Sequence, residues 1–450
     1  MYTQWLLDKI EEEWSQNEFM IWQDKVRTYS WLRQCILYWE GYLNDHSILP
    51  GEIVSFEGDY SPNIVALFFA LLKNRNIIVP LCGLPVEEVH RRNKIANVTM
   101  RFIFEKDQLQ SHQRIPDHGT TNTLLKKCVG LNVPGLVLFT SGSTGEPKGI
   151  LHNLNTLTQR FVHGQKKFYK GILFLLFDHI GGINTMLAIL SSGGTLVVPL
   201  SRHPEDVLKD IEKFKVTLLP TSPTFLNLLL ISDAYKQYDC SSLKLITYGT
   251  EPMPEVLLKR LRAVFHNASF KQTYGTAEIG ILSTQSESSE TIWMKVGGEG
   301  YQVKVVDGIL WIKSQTSMLG YLNAPSPFTE DGWFISGDKV ETKDGYLKII
   351  GREAQVINVA GNKVFPAEIE NILLQMDNIK DVFVYGERNP ITGQIVVVEV
   401  NLVENESLEN LRKRIYKFCQ EKLERYKIPA RIEITTTKLH SYRFKKMRNK

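Results

Sequence analysis

Leu138-Phe139-Thr140-Ser141-Gly142-Ser143-Thr144-Gly145-Glu146-Pro147-Lys148-Gly149 is the stretch that decides what kind of chain this is. The apolar run 136–139 stops abruptly in a segment holding four hydroxyls, three glycines and one lysine. Such a change marks a buried strand passing into a loop that can wrap an anion. Glycines let the backbone approach phosphate oxygens closely, backbone N–H groups and hydroxyls donate to them, and Lys148 adds a point charge. The G-x-x-x-x-G-K-[ST] spacing of the common nucleotide-hydrolase loop is absent. By composition alone a surface linker explains the same residues.

Working outward, 450 residues supply enough mass for two or three cores. A hydrophobic fraction of 43% and a charged fraction of 23% are those of a globular protein. The net charge of +4 gives no case for nucleic acid or a membrane surface as partner. Five scattered cysteines without a C-x-x-C pair argue against a disulfide framework or a zinc site. No segment has the signature of a leader peptide or the length of a membrane span, and the expectation is a cytoplasmic enzyme.

Periodicity predicts helices over residues 5–42, with Ser30 capping the second. A strand at 53–56, an amphipathic helix at 62–73 and a buried strand at 77–81 read as a parallel βαβ unit. Residues 104–130 read as an irregular connection. A helix is expected over 151–161, a strand over 171–177, and then repeated strand–helix alternation to residue 246, the pattern of a layered α/β domain. From 293 to 350 short strands with Gly or Asp turns predict a β-rich subdomain. Beyond Arg352 a compact α+β segment is predicted, with helices near 367–375 and 408–423 and strands near 382–385 and 395–400.

Five further stretches stand out. They are Phe177-Asp178-His179-Ile180-Gly181, Gln272-Thr273-Tyr274-Gly275-Thr276-Ala277-Glu278, Gly332-Trp333-Phe334-Ile335-Ser336-Gly337-Asp338, Gly351-Arg352 with the Gly361 segment 357–370, and the basic end 426–448. Together with the first stretch, and in this order, they closely resemble the motifs of the adenylate-forming superfamily, which includes acyl-CoA synthetases, aryl-CoA ligases and nonribosomal-peptide adenylation domains. The resemblance spans most of the chain. It implies a large layered α/β N-terminal domain over 1–352 with a β-rich subdomain, and a small mobile α+β C-terminal domain over 353–450 that carries the catalytic lysine.

The same resemblance implies the chemistry: a carboxylic acid is activated with ATP and Mg²⁺, pyrophosphate leaves, and the acyl-adenylate passes to coenzyme A or to a carrier-protein phosphopantetheine. It places Thr140, Ser141, Gly142, Ser143, Thr144, Gly145 and Lys148 on the phosphates. Gly249, Thr250, Glu251, Thr273, Tyr274, Gly275 and Thr276 fall beside the nucleotide, Glu278 on the metal and Asp338 on the ribose hydroxyls. Arg352 falls near ribose or phosphate at the hinge. Asp178, His179 and Gly181 fall beside the acid and thiol entrance, with Gly181 and Gly182 leaving room, and Gly361 lines the pantetheine tunnel. The acid pocket is expected among residues 178–184, 222–226 and 248–252. Counting from Leu439 puts the catalytic lysine at Lys446, with Lys445 as the other candidate.

Three departures stand in the pattern: Ala277 replaces the usual hydroxyl before the glutamate, Ala354 the usual polar hinge residue, and Lys445 the usual glycine. Two alternatives accompany the acid–thiol ligase. One is an amino-acid-adenylating enzyme loading a carrier protein, with Asp178 on the substrate ammonium. The other is an inactive nucleotide-binding homologue.

Overall fold

Ser61-Pro62 starts a helix with its N-terminus satisfied in two ways: the Ser61 hydroxyl accepts from Ile64 N, and Pro62 lacks the N–H that would be orphaned. The helix Pro62–Lys73 is not the amphipathic helix that its period suggests. Every residue from Ile64 to Leu72 is buried, because the helix lies in one core shared by strands of two sheets. A helix apolar on all sides belongs in such a place.

The computed structural model describes residues 2–116, 122–141, 146–163 and 167–436. The first sheet has seven strands in the order Gly320–Tyr321, Pro147–Asn153, Gly135–Ser141, Ile77–Leu81, Ile53–Glu57, Met100–Glu105 and Gln108–Arg114. Its middle four run parallel, with antiparallel strands at each side. The second, also seven-stranded, runs Ser269–Gln272, Leu245–Tyr248, Leu218–Thr221, Lys170–Ile172, Thr195–Val198, Glu18–Trp22 and Lys25–Thr28. A six-stranded antiparallel sheet between residues 284 and 352 forms the β-rich subdomain. The last sheet, drawn from residues 357–434, packs the helices Pro366–Leu373 and Leu408–Gln420 over its own core. The layered α/β class with a β-rich subdomain and a small α+β C-terminal domain is therefore observed.

Several local expectations are corrected. Residues 18–28 form a hairpin rather than helix, turning at Gln23 and Asp24 with φ of 49° and 62°; two left-handed residues in a row make the turn that hairpins favour. Thr28, not Ser30, caps the following helix Tyr29–Asp45 by accepting from Trp31 N at 3.3 Å. The region 104–130 contains the strand Gln108–Arg114 and the helix Thr123–Gly130. After the phosphate loop the chain returns as the strand Pro147–Asn153, so the helix begins at Leu154. The strand expected over 171–177 is confined to Lys170–Ile172. Arg75, with φ of 62°, takes a left-handed conformation suited to glycine, while the buried Asn76 amide ties down the carbonyls of Leu49 and Glu52. Among the described residues, no helix is long and apolar enough to cross a membrane.

Candidate active site

The phosphate stretch is the tip of an antiparallel hairpin. Its stems pair in register, Thr140 with Lys148 and Ser141 with Pro147. The ladder hydrogen bonds hold the two stems together on either side of residues 142–145. Gly142, Ser143, Thr144 and Gly145 lie outside the described residues, as does the side chain of Ser141. The returning stem is held by Asn323, which accepts from Gly149 N and donates to Pro147 O, both at 2.9 Å. Lys148 extends over the Tyr321 ring, its Nζ 5.4 Å from the ring centre.

Tyr321 joins this hairpin to Glu278. Its hydroxyl donates to Glu278 Oε1 at 2.8 Å. Burial pushes the phenol pKa upward, and the carboxylate adds to the shift, so Tyr321 stays a donor. Thr276 Oγ1 accepts from Glu278 N at 3.3 Å, and the buried His152 ring bonds the Ala277 carbonyl at 2.5 Å. The Thr276 hydroxyl oxygen thus shapes the turn that presents the glutamate. Burial pushes the His152 imidazole down to about 4, so it is neutral near pH 7. Among the described residues no cluster of three or more His, Cys, Asp or Glu side chains could close around a metal. A lone carboxylate with one oxygen held by Tyr321 still suits Mg²⁺, which takes one or two carboxylates and fills its sphere with phosphate oxygens and water.

Next to the short hairpin Gly275–Thr276/Gly280–Ile281, Tyr274 donates to Asp338 Oδ2 at 2.5 Å, and Arg352 Nε donates to Asp338 Oδ1 at 2.9 Å. Asp338 is only 4% exposed, while the Arg352 side chain is 53% exposed. Asp338 raises the Arg352 pKa, with Tyr274 and Glu278 acting in the same direction. Tyr321, Glu278, Tyr274, Asp338 and Arg352 therefore form one electrostatic unit around the turn 274–278. Gly249 packs on Thr273 so closely that a Cβ there would lie 2.5 Å from Thr273 Oγ1. Thr250 follows with φ of 71°, costly for a β-branched residue. Glu251 turns aside and accepts from Thr224 Oγ1 at 2.5 Å.

His179 caps the helix Ile180–Leu190, its Nδ1 accepting from Gly181 N at 3.0 Å. A neutral imidazole bonded this way carries its proton on Nε2 and offers a donor, not a base. Asp178 is buried, with its Oδ2 3.7 Å from Arg92 Nη1. Arg92 also donates to Glu88 Oε1 at 2.8 Å and lies 5.2 Å from the centre of the Phe139 ring. It thereby ties the Asp178 loop to the strand Gly135–Ser141. The expectation that Gly181 and Gly182 leave room is corrected. A Cβ at Gly182 would lie 2.3 Å from Leu176 O and 2.8 Å from Leu175 O, so backbone packing demands that glycine, while one at Gly181 would meet the end of the Leu175 side chain at 2.8 Å and need it to shift. Gly361 sits at the exposed tip of the hairpin Ile357–Val359/Asn362–Val364, in the C-terminal sheet. Lys445 and Lys446 lie outside the described residues.

The sequence motifs contain neither Tyr321, His152, Arg92 nor Asn323. All four act across long sequence separations, and no local pattern marks them.

Residues 7–322 match the family described as AMP-binding enzyme, and residues 368–446 match the AMP-binding enzyme C-terminal domain. The indoleacetate–CoA ligase of Aromatoleum aromaticum is 27% identical over 68% of this chain and 64% of its own length. Acyl-CoA synthetase 7 of Caenorhabditis elegans is 29% identical over 66% of this chain and 61% of its own, so the chain spans less than two thirds of these relatives. The 2-succinylbenzoate–CoA ligase of Bacillus pumilus is 24% identical over 91% of this chain and 90% of its own. Among solved structures, the anthranilate CoA ligase AuaEII in complex with anthranoyl-AMP superposes with a TM-score of 0.82 at 19% identity, covering 99% of this chain and 95% of that one. The o-succinylbenzoate coenzyme A synthetase of Bacillus subtilis, in complex with ATP and magnesium ion, gives 0.74 at 20% identity, covering 99% and 98%. These two likenesses concern the fold, and the sequence match concerns the lineage: the chain belongs to the AMP-binding enzyme family and carries that family's C-terminal domain.

Proposed function

We propose that this protein activates a small carboxylic acid with ATP and transfers the acyl group to a thiol. In the first step a carboxylate oxygen attacks the α-phosphorus, the bond to the bridging oxygen breaks, and pyrophosphate leaves. In the second, a thiol sulfur attacks the acyl carbon, AMP leaves with the oxygen, and the thiol proton passes to solvent. The acceptor is coenzyme A or a carrier-protein phosphopantetheine, which relatives named as CoA ligases favour in its first form. The working division is 1–352 for ATP and acid and 353–450 for the lid, in a cytoplasmic enzyme without nucleic-acid partners.

The observation that carries this reading is the connected set Lys148, Tyr321, Glu278, Tyr274, Asp338 and Arg352 around one turn. The protein has little covalent work to do; it brings two anions together and opposes the charge building on the phosphates. In this reading Lys148 and the hairpin tip hold the β- and γ-phosphates, Asp338 holds the ribose, and Lys446 reaches the α-phosphate and the acid. Mg²⁺ held on Glu278 would neutralise phosphate charge. His179 Nε2–H orients the acid or thiol. The Asp178–Arg92 pair disfavours an ammonium role for Asp178, because that carboxylate already faces a guanidinium.

A pyrophosphate-release screen across plain, aromatic and amino acids, with coenzyme A or a phosphopantetheinylated carrier present or absent, tests the reading. Pyrophosphate with a non-amino acid, and thioester only when a thiol is supplied, is expected. Nucleotide binding without pyrophosphate release for any acid would make the chain an inactive homologue.

A further inference from the structure

Arg160 is a cation whose surroundings are incomplete. It lies on the helix Leu154–His163, and its guanidinium donates to the Ile281 carbonyl and to Asn184 Oδ1, with Nη1 3.4 Å from Tyr301 Oη. All three acceptors are neutral. Among the described residues Arg160 has no ion pair, and its buried Nε has no hydrogen-bond partner. Burial lowers its pKa, the expected response of a cation withdrawn from water with no counter-charge. Holding a guanidinium in this state is costly unless something negative reaches it.

Its neighbours indicate what that is. Asn184 stands five positions beyond His179 in the helix that His179 caps, so it lies about 7–8 Å along the axis from the acid entrance. Ile281 pairs directly with Gly275 in the turn that presents Tyr274 and Glu278. The guanidinium therefore spans the gap between the acid-side helix and the nucleotide-side hairpin. Two more cations lie close in sequence to these elements: Lys167 follows the Arg160 helix, and Lys271 leads into Gln272-Thr273. These two are close enough to depress the Lys271 pKa beyond the effect of burial, and neither forms an ion pair among the described residues.

We propose that Arg160 determines substrate specificity by binding a second anionic group of the acid, selecting carboxylic acids with a distal carboxylate set apart from the reacting one by a ring or a chain of several carbons. This rests on the adenylation reading above and narrows its substrate class.

The test is ATP–pyrophosphate exchange by the full-length wild type, Arg160→Met, Arg160→Lys and Asn184→Asp. The substrates are pairs of acids matched in size, one with a distal carboxylate and the other with a methyl ester or amide in its place. In the wild type kcat/KM favours the diacid by about 10–100-fold, the range for a charge-assisted hydrogen bond. Arg160→Met brings that ratio close to one, mainly through KM, and Arg160→Lys keeps part of it. Asn184→Asp lowers the ratio by giving the guanidinium an internal counter-charge, and it decides the matter even if Arg160→Met fails to fold. A wild type that prefers the uncharged partner, or a ratio that survives both Arg160→Met and Asn184→Asp, overturns the inference while adenylation stands. Exchange with neither kind of acid overturns adenylation itself, and this inference with it.

Discussion

Replacing Tyr274 with phenylalanine removes one oxygen and leaves the ring in place. That oxygen donates to Asp338 Oδ2 at 2.5 Å, with the tyrosine 8% and the aspartate 4% exposed. A hydrogen bond to a charged acceptor is worth about 1.5–3 kcal/mol. The second anchor of Asp338, the Arg352 guanidinium, is 53% exposed, and an ion pair so open to solvent contributes about 1 kcal/mol or less. The orientation of Asp338 therefore depends mostly on Tyr274. If Asp338 receives the ribose hydroxyls, Tyr274→Phe lowers kcat/KM for ATP by about 10–100-fold, since each 1.4 kcal/mol is tenfold. It also reduces the preference for ATP over 2′-deoxy-ATP. ATP–pyrophosphate exchange at varied nucleotide measures both, and a urea melt separates loss of fold from loss of binding. A kcat/KM for ATP within twofold of the wild type, with intact ribose discrimination, would refute the ribose assignment and leave the Tyr274–Asp338 bond a structural one.

Three other outcomes follow from the site. His152 titrates near 6.5 when unfolded and at about 4 when folded, so the unfolded chain binds the proton first. Its contribution is whole above pH 6.5 and is lost as the pH falls towards 4, by about 3 kcal/mol in all; His152→Gln should flatten the pH dependence of the urea midpoint across that window, and an unchanged slope would place the titrating group elsewhere. Tyr321→Phe frees Glu278 Oε1 while keeping the ring beneath Lys148, so the Mg²⁺ concentration giving half-maximal pyrophosphate exchange should shift several-fold, whereas an unshifted titration would detach Tyr321 from the metal side. Lys446→Ala should slow adenylation on the order of 10²–10³-fold, by analogy with losing one charge-stabilising donor, and Lys445→Ala far less; the reverse order in exchange assays would move the catalytic role to Lys445.

The chain shows its site more openly than its architecture. Tyr274, Glu278, Asp338 and Arg352 sit in stretches of unusual local chemistry, Gly next to aromatic next to acid, and such stretches are visible wherever they fall. The helix Pro62–Lys73 was legible as a helix, but its burial on every side depends on a second sheet formed more than a hundred residues later. Residues 18–22 carry Phe, Ile and Trp at spacings that suit helix or strand, and only the partner at Thr195–Val198 decides between them. Tyr321 was invisible for a related reason. Its role comes from a two-residue strand laid against Ile150 and Leu151, and two residues are too few for any periodicity to register.

The hairpin Glu18–Trp22/Lys25–Thr28 has a consequence for how the protein is made. It leaves the ribosome well ahead of the strand it joins, Thr195–Val198, which emerges far behind it. At about 5–20 residues per second, the nascent hairpin waits roughly ten to thirty seconds with its inner edge and the Phe19, Met20 and Ile21 side chains uncovered. An edge of that kind invites pairing with another chain. Lys25 and Arg27 on the outer strand place positive charge at the other side of the hairpin, where among the described residues no further strand pairs.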